Sequence, residues 1–207
     1  MNILELFDKG GFVMYLLLLT SIAVAAIGIE RFRFYSYAKH GSDSFLNLLT
    51  DRLKNQGTDA ALELCRYESS SLAKVALSGV EAAVSGDNVE LALLTAHDEA
   101  AMQLRARLNY LSMIVTLAPL LGLLGTISGM IQSFNVFALQ AGQPLAITGG
   151  IGEALIATAT GLCVAIFALL VHTYFAQKLD ENLAVLEKTM NIVLGYTAVK
   201  GDNNAAS

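Results

Sequence analysis

Residues 147–175 read ITGGIGEALIATATGLCVAIFALLVHTYF, and they decide the fold. They close a stretch of seventy residues, 108–177, that contains no Lys or Arg and a single carboxylate, Glu153. A run this long and this poor in charge is too long for a soluble core, but it fits two membrane-spanning helices of about 20–30 residues joined by a short loop. A third apolar run, 11–29, carries no charge and would extend about 28 Å as a helix. The sequence therefore predicts three membrane spans.

The overall composition agrees with a membrane protein. Charged residues make up 15% and hydrophobic residues 55% of the 207 residues, and the mean hydropathy is +0.55. Soluble domains carry about 25% charged residues, and disordered or collagen-like chains are far less apolar. A net charge of −5 gives no support for the basic face that nucleic-acid binding usually needs. We therefore expect contacts with membrane lipid and none with nucleic acid.

The first apolar run is interpreted as a retained helix rather than a cleaved signal peptide. The segment before it carries Glu5 and Asp8 against Lys9, so it lacks the positive region that opens a signal peptide. The run is also longer than the apolar region of about 7–15 residues that signal peptides contain.

The distribution of basic residues predicts the orientation. Nine of the thirteen Lys and Arg lie between the first and second spans, three follow the third span, and Lys9 precedes the first. The positive-inside rule places the middle region and the C-terminus in the cytoplasm and the N-terminus outside. The predicted division is a short periplasmic N-terminus (1–10), a first span (11–30), a cytoplasmic helical domain (31–107), a second span (108–139), a short periplasmic loop (140–146), a third span (147–176) and a cytoplasmic C-terminal helix and tail (177–207).

The cytoplasmic segments are predicted to be helical throughout. Ser85 or Asp87 is expected to cap a helix that begins near Val89. With no breaker before Ala118, this helix should continue unbroken into the second span, where Pro119 would kink it. A heptad seam follows the third span, at Leu179, Leu183, Leu186, Met190 and Val193. The seam would pack on the chain's own cytoplasmic helices, on other subunits, or on both.

Glu153 is the main candidate for chemistry. A charged carboxylate at membrane depth costs about 2.5–3.5 kcal/mol, so it should face a cavity or the interior of a helix bundle. There its neutral form becomes accessible near neutral pH, which a proton path requires. Thr158, five residues later, can donate and accept hydrogen bonds and would suit a polar lining. The alternative is that Glu153 lies near the outer end of its helix and extends to water.

Small residues on the second and third spans predict close helix packing. Gly122, Gly125 and Gly129 recur at spacings of three and four on the second span, and Gly161 lies on the third. Helices in lipid associate through close packing, so such a stripe marks a face that another helix approaches.

Other kinds of site are not expected from the sequence. No metal-ligand spacing and no nucleophile–base set occurs, so we expect neither a metal, a cofactor nor an enzyme. The two cysteines, Cys65 and Cys163, fall in a cytoplasmic and a membrane segment and are not expected to form a disulfide.

The spans resemble the MotA/TolQ/ExbB proton channel family, and most of all its ExbB/TolQ branch. The resemblance is carried by APLLGLLGT at 118–126 with Gly129, Met130 and Phe134, and by GIGEAL at 150–155 with TA at 158–159 and GL at 161–162. Glu30 and Arg31, at the end of the first span, add a weaker match. The order of spans agrees as well, so the resemblance covers essentially the whole chain.

This resemblance implies the stator of an ion-driven motor in the bacterial inner membrane. It implies an all-α integral membrane protein whose three spans carry long cytoplasmic helical extensions and assemble as a homopentameric ring. The ring would enclose two helices of a single-span partner of the ExbD/TolR type. Proton passage would move this partner dimer relative to the ring and energise an envelope protein such as TonB or TolA. By the same resemblance, Thr126, Glu153 and Thr158 match polar pore positions.

The sequence departs from the family pattern at two positions of the third span. Phe167 stands where relatives usually have proline, and Thr173 where an asparagine is usual. Losing the proline should straighten the helix near the inner exit of the pore. The sequence leaves open a non-conducting scaffold, a MotA-like stator for another motility or transport system, a transporter acting alone, and Na⁺ in place of H⁺.

Overall fold

The chain forms helices joined by short connections. A computed structural model describes residues 11–39, 42–139 and 144–205, and no strand occurs within these ranges. The helices are α1 (Gly11–Lys39), α2 (Ser42–Asn55), α3 (Thr58–Tyr67), α4 (Ser71–Ser85), α5 (Val89–Arg105), α6 (Leu108–Leu139) and α7 (Pro144–Ala205). Three helices within these ranges are long and apolar enough to cross a membrane. The predicted all-α class is thus confirmed for the described residues, and the number of candidate membrane-spanning helices agrees with the three spans predicted. The predicted periplasmic N-terminus, 1–10, and residues 140–143 of the predicted loop lie outside the described residues.

The chain divides into two compact units, each built from separate segments. The first unit comprises Met1–Arg31 and Arg107–Phe175, and the second comprises Phe32–Ala106 and Ala176–Ser207. The chain passes from one unit to the other within α1, between α5 and α6, and within α7. The third span and the predicted C-terminal helix are therefore parts of one continuous helix of 62 residues.

In the first unit, α1 packs against both α6 and α7. Val13 lies beside Gly125 of α6, at 3.5 Å from the position that a Cβ would take there. Val171 of α7 lies beside Gly28 at the same distance from its missing Cβ. The apolar side chains that are fully or almost fully buried in this unit include Leu17, Val24, Leu111 and Ala168. The three apolar helices thus form one bundle.

In the second unit, helices α2 to α5 pack in sequence order, each against the next. Helix α4 is capped by the Ser70 hydroxyl, which accepts from the Ala73 amide at 3.2 Å, and it ends at Gly86 with a left-handed φ of 78°. Asn88 caps α5 by accepting from the Leu91 amide at 3.0 Å. The expectation that Ser85 or Asp87 caps α5 is therefore wrong: Asn88 is the residue directly before the first helical turn, where a side chain can reach the free amides.

The C-terminal half of α7 completes the core of the second unit. A Cβ on Gly79 of α4 would lie 2.5 Å from Leu93 of α5 and 3.0 Å from Val193 of α7, so the three helices meet at this glycine. Leu186, Thr189 and Val193 are almost fully buried. At Val193 the heptad seam therefore packs on the chain's own helices.

The connection between α5 and α6 differs from the prediction of one unbroken helix. Helix α5 ends at Arg105, and α6 begins at Leu108. Between them Arg107 has a φ of 68°, the one positive φ outside glycine among the described residues. A left-handed conformation costs a residue with a Cβ about 1–2 kcal/mol. No Gly, Pro or Asn lies within residues 105–108, so the sequence pattern does not predict this break. Helix α1 contacts both sides of this break, at Leu104 and at Arg107.

Candidate functional site

The site is built where α6 and α7 approach each other. Gly122, Gly125 and Gly129 of α6 all point at the backbone or the methyl groups of α7. A Cβ on Gly122 would lie 3.1 Å from the Cα of Thr158. On Gly125 it would lie 2.5 Å from the Ala157 Cβ, and on Gly129 2.9 Å from the Ala154 Cβ. Each glycine thus occupies a position where a larger residue would separate the helices.

The same close contact continues at both ends of the glycine stripe. A Cβ on Gly161 would lie 2.7 Å from the Ala118 carbonyl oxygen and 2.9 Å from the Gly122 Cα. Towards the other end, the Ser133 hydroxyl occupies the space that a Cβ on Gly150 would need. The contacts run in opposite directions along the two helices, so α6 and α7 are antiparallel. They span residues 118–133 of α6 and 150–161 of α7.

One hydroxyl joins the two helices directly. Thr158 donates a hydrogen bond to the Gly122 carbonyl oxygen, at 2.9 Å, and is partly buried. The Thr126 hydroxyl instead donates to the Leu123 carbonyl of its own helix, at 2.7 Å. Ser133 does likewise, donating to Gly129 at 2.7 Å. Of these three hydroxyls, Thr158 is the one that donates a hydrogen bond to the other helix.

Glu153 lies on α7 within this contact region. Its neighbour Ala154 is buried against Gly129, and Gly150 lies one turn earlier opposite Ser133. Its backbone is helical. With a rise of about 1.5 Å per residue, Glu153 lies about 13 Å along the helix axis from Pro144, where α7 begins. The Glu153 side chain lies outside the described residues. Its predicted orientation therefore remains a prediction.

Pro119 lies inside α6, whose helical bounds run through it. It has no N–H, so the carbonyl four residues earlier loses its usual intrahelical donor. Its neighbour Ala118 presents the carbonyl that Gly161 approaches. The predicted kink stays a prediction.

Two parts of this arrangement were not predicted from the sequence. The residues of α7 that face the glycines of α6 are mainly alanines, at 154 and 157. Together with the glycines at 150 and 161 they form a second stripe of small residues, separated by four, three and four positions. That spacing matches the one on α6 and could have been found by aligning the two stripes in opposite directions. The second is an ion pair between Glu30 and Arg107, for which no local pattern exists. Among the described residues, no group of three or more His, Cys, Asp and Glu could hold a metal ion.

Comparison with known proteins identifies the family. A sequence model of the MotA/TolQ/ExbB proton channel family matches residues 67–188, which include α6 and the span part of α7. The chain belongs to the MotA/TolQ/ExbB proton channel family.

Relatives with similar sequences occur in Synechocystis sp. and in Haemophilus influenzae. One ExbB-like biopolymer transport protein of Synechocystis sp. is 35% identical over 193 residues, covering 89% of this chain and 76% of that protein. A second one, from the same organism, is 34% identical over 194 residues, covering 90% and 91%. The Tol-Pal system protein TolQ of Haemophilus influenzae is 28% identical over 219 residues, covering 96% and 93%. These names and the family support an ExbB/TolQ-like channel subunit, and the three apolar helices support a multi-pass inner-membrane protein.

Proposed function

We propose that this chain is the proton-conducting stator subunit of an ion-driven motor in the bacterial inner membrane. Five copies would form a ring around two helices of an ExbD/TolR-like single-span partner. Proton flow through this complex would move the partner and energise a TonB- or TolA-like envelope protein. The ring, the partner and the orientation follow from the family resemblance and from the charge distribution along the sequence.

The observation that carries the proposal is the isolation of Glu153. It is the only carboxylate in residues 108–177, which contain no Lys or Arg. It also lies on the part of α7 that packs against α6, next to Ala154, which faces Gly129. An intramembrane acid is costly to insert, so its presence points to ion transfer. Thr158 and Thr126 lie one to two turns further along the two helices and would line the same path.

The close contact between α6 and α7 supports this role. Gly122, Gly125 and Gly161 leave no room for side chains between the helices. A proton carrier needs its donors and acceptors held at fixed separations, and two helices in backbone contact hold them so. Substituting the glycines would widen the path as well as weaken the packing.

Proton flux measured in vesicles tests the proposal without knowledge of the envelope system. The full chain is reconstituted together with its single-span partner, a potassium–valinomycin potential is applied, and internal pH is followed with a dye. We expect flux from the wild-type complex and loss of flux in Glu153→Gln, with copurification of the partner unchanged. The Glu153→Asp variant is the matched control and should retain partial flux, because it keeps a titratable group.

Two results would contradict the proposal. Wild-type flux that persists in Glu153→Gln would remove this carboxyl group from the path. Assembly with the partner in the absence of any flux would favour the non-conducting scaffold. Flux that depends on Na⁺ rather than on the pH difference would change the ion but not the site.

A further inference from the structure

The break between α5 and α6 lacks the residues that usually end one helix and begin another. Residues 105–108 read RARL, with no glycine for the end of α5 and no Ser, Thr, Asp or Asn before α6. Ala, Arg and Leu are among the best helix formers. Arg107 nevertheless adopts a left-handed φ of 68°. The local sequence therefore favours a continuous helix, and something outside it maintains the break.

Helix α1 supplies a contact to each side of the break. In the second unit, the Tyr35 hydroxyl donates to the Leu104 carbonyl oxygen at 2.9 Å, and this hydrogen bond is buried. Leu104 lies in the last turn of α5, where carbonyl groups lose their intrahelical donors. The tyrosine therefore acts as a C-terminal cap delivered from another helix.

The contact on the other side lies in the first unit. The Glu30 carboxylate forms an ion pair with the Arg107 guanidinium, directly before the first residue of α6. A carboxylate near the beginning of a helix also interacts favourably with the positive end of its dipole. The ion pair holds Arg107, whose backbone is in the unfavourable left-handed conformation. Glu30 and Tyr35, which we call the α1 clamp, thus stabilise the two ends that a helix break exposes.

We propose that the α1 clamp is a conformational device that keeps residues 106 and 107, the connection between α5 and α6, out of the helical conformation. Releasing the clamp lets these two residues become helical. The amides of Arg107, Leu108 and Asn109 would then donate to the carbonyls four residues earlier. One of those carbonyls belongs to Leu104, the acceptor of the Tyr35 hydroxyl. Because the chain passes between its two units at this point, the clamp decides whether the connection is a turn or a helix.

Hydrogen–deuterium exchange at the amides of residues 107–109 tests this, on the full chain in detergent or nanodiscs. In the Glu30→Gln, Tyr35→Phe double variant we expect exchange at these amides to slow about tenfold, because they gain helical partners. Amides 46–53 in α2 serve as an internal check that the second unit remains folded. Unchanged or faster exchange at 107–109, with α2 still protected, would overturn the proposal.

A pair of variants at position 107 separates the effect of the backbone conformation from the effect of the ion pair. Arg107→Ala and Arg107→Gly both remove the guanidinium, but only glycine adopts a positive φ without cost. We expect slower exchange at 107–109 in Arg107→Ala and near wild-type exchange in Arg107→Gly. Equal exchange in the two variants would show that the left-handed residue does not control the break, and would overturn the proposal even if the double variant failed to fold.

Discussion

At the scale of single residues, Thr158 links two helices through its hydroxyl. The residue donates to Gly122 at 2.9 Å and is partly buried. Replacing it by valine keeps the shape of the side chain and leaves the carbonyl without this donor. Interhelical hydrogen bonds in membrane proteins contribute about 0.6 kcal/mol on average and up to about 1.7 kcal/mol. We therefore expect Thr158→Val to lose about 1 kcal/mol of stability and Thr158→Ser to lose less.

Thermal unfolding of the purified chain in detergent measures this difference. The matched control is Thr126→Val, since the Thr126 hydroxyl donates to Leu123 within its own helix. An equal decrease in Tm for Thr158→Val and Thr126→Val would show that the contact between helices contributes nothing beyond the loss of a hydroxyl.

Cys65 provides a residue-scale prediction in the second unit. Its side chain is 2% exposed, and burial raises the pKa of the thiol to about 11 from an ordinary value of 9.0. At pH 8 the thiolate fraction is therefore about a hundredfold lower than for a free cysteine, because each pKa unit is a factor of ten. In a Cys163→Ser variant, alkylation of Cys65 by iodoacetamide should be at least about a hundredfold slower than after denaturation. Rapid labelling of the native chain would contradict the buried position.

The same pKa fixes the direction of the pH dependence. The unfolded thiol loses its proton near pH 9 and the folded one near pH 11, so between these values the unfolded state binds fewer protons. The contribution of the Cys65 thiol to the free energy of unfolding is therefore fully present below pH 9. It decreases as the pH rises towards 11, by about 3 kcal/mol in total. Denaturation monitored by circular dichroism from pH 8 to 11 should show this decrease, and Cys65→Ala should show less of it.

At the scale of helices, the α6–α7 contact depends on glycine where backbones meet. A Cβ on Gly161 would lie 2.7 Å from the Ala118 carbonyl oxygen, a backbone atom that cannot rotate away. Overpacking of this kind costs about 1–3 kcal/mol. We expect Gly161→Ala to destabilise the first unit by that amount, measured as a lower Tm in detergent. Gly152→Ala on the same helix is the control, since nothing lies within 4 Å of its missing Cβ. Destabilisation of the same size in both variants would contradict the packing account.

Helices and spans could be predicted from the sequence more fully than the contacts between them. The stretch from 108 to 177, in which Glu153 is the only carboxylate and no Lys or Arg occurs, predicts two spans, because a run this long and this poor in charge fits membrane helices. The break at Arg107 could not be predicted, since no local residue signals it and the residues that contact its two sides, Glu30 and Tyr35, lie about seventy positions away in the sequence. The cap of α5 at Asn88 was missed by one residue, because Ser, Asp and Asn occur together there and only the backbone decides among them.

The candidate site was predictable in its residue types but not in its pairings. Glycine and threonine in the spans indicate a close and polar helix contact. The sequence does not say that Thr158 reaches Gly122 while Thr126 bonds to its own helix, because both residues have the same local options. The choice depends on which carbonyl of the neighbouring helix lies within reach of the hydroxyl, and only the packed helices show that.

At the scale of the whole molecule, the surface of the first unit is apolar over most of its length. Exposed side chains on α6 include Leu120, Leu124, Ile131 and Phe134. Water would be an unfavourable solvent for this surface, at about 25 cal/mol for each Å² of apolar area. Lipid, or other copies of the chain in the proposed ring, would cover it. The direction in which the helices cross the membrane is predicted instead from the charges at their ends.

Arg31 and Arg33, just after the first apolar run, and Arg105 and Arg107, just before the second, predict that these ends face the cytoplasm. A C-terminal GFP fusion should therefore fluoresce, and alkaline phosphatase fused at the C-terminus should be inactive. Phosphatase fused after residue 141, in the predicted periplasmic loop, should be active, because that enzyme folds only outside the cytoplasm. The reverse pattern would invert the proposed path of protons past Glu153, since the residue would then lie nearer the cytoplasmic entrance. In a variant with three of these four arginines changed to Gln, part of the protein should insert in the opposite direction, so that both C-terminal fusions give a partial signal. This variant tests whether these four charges determine the orientation of the 207-residue chain.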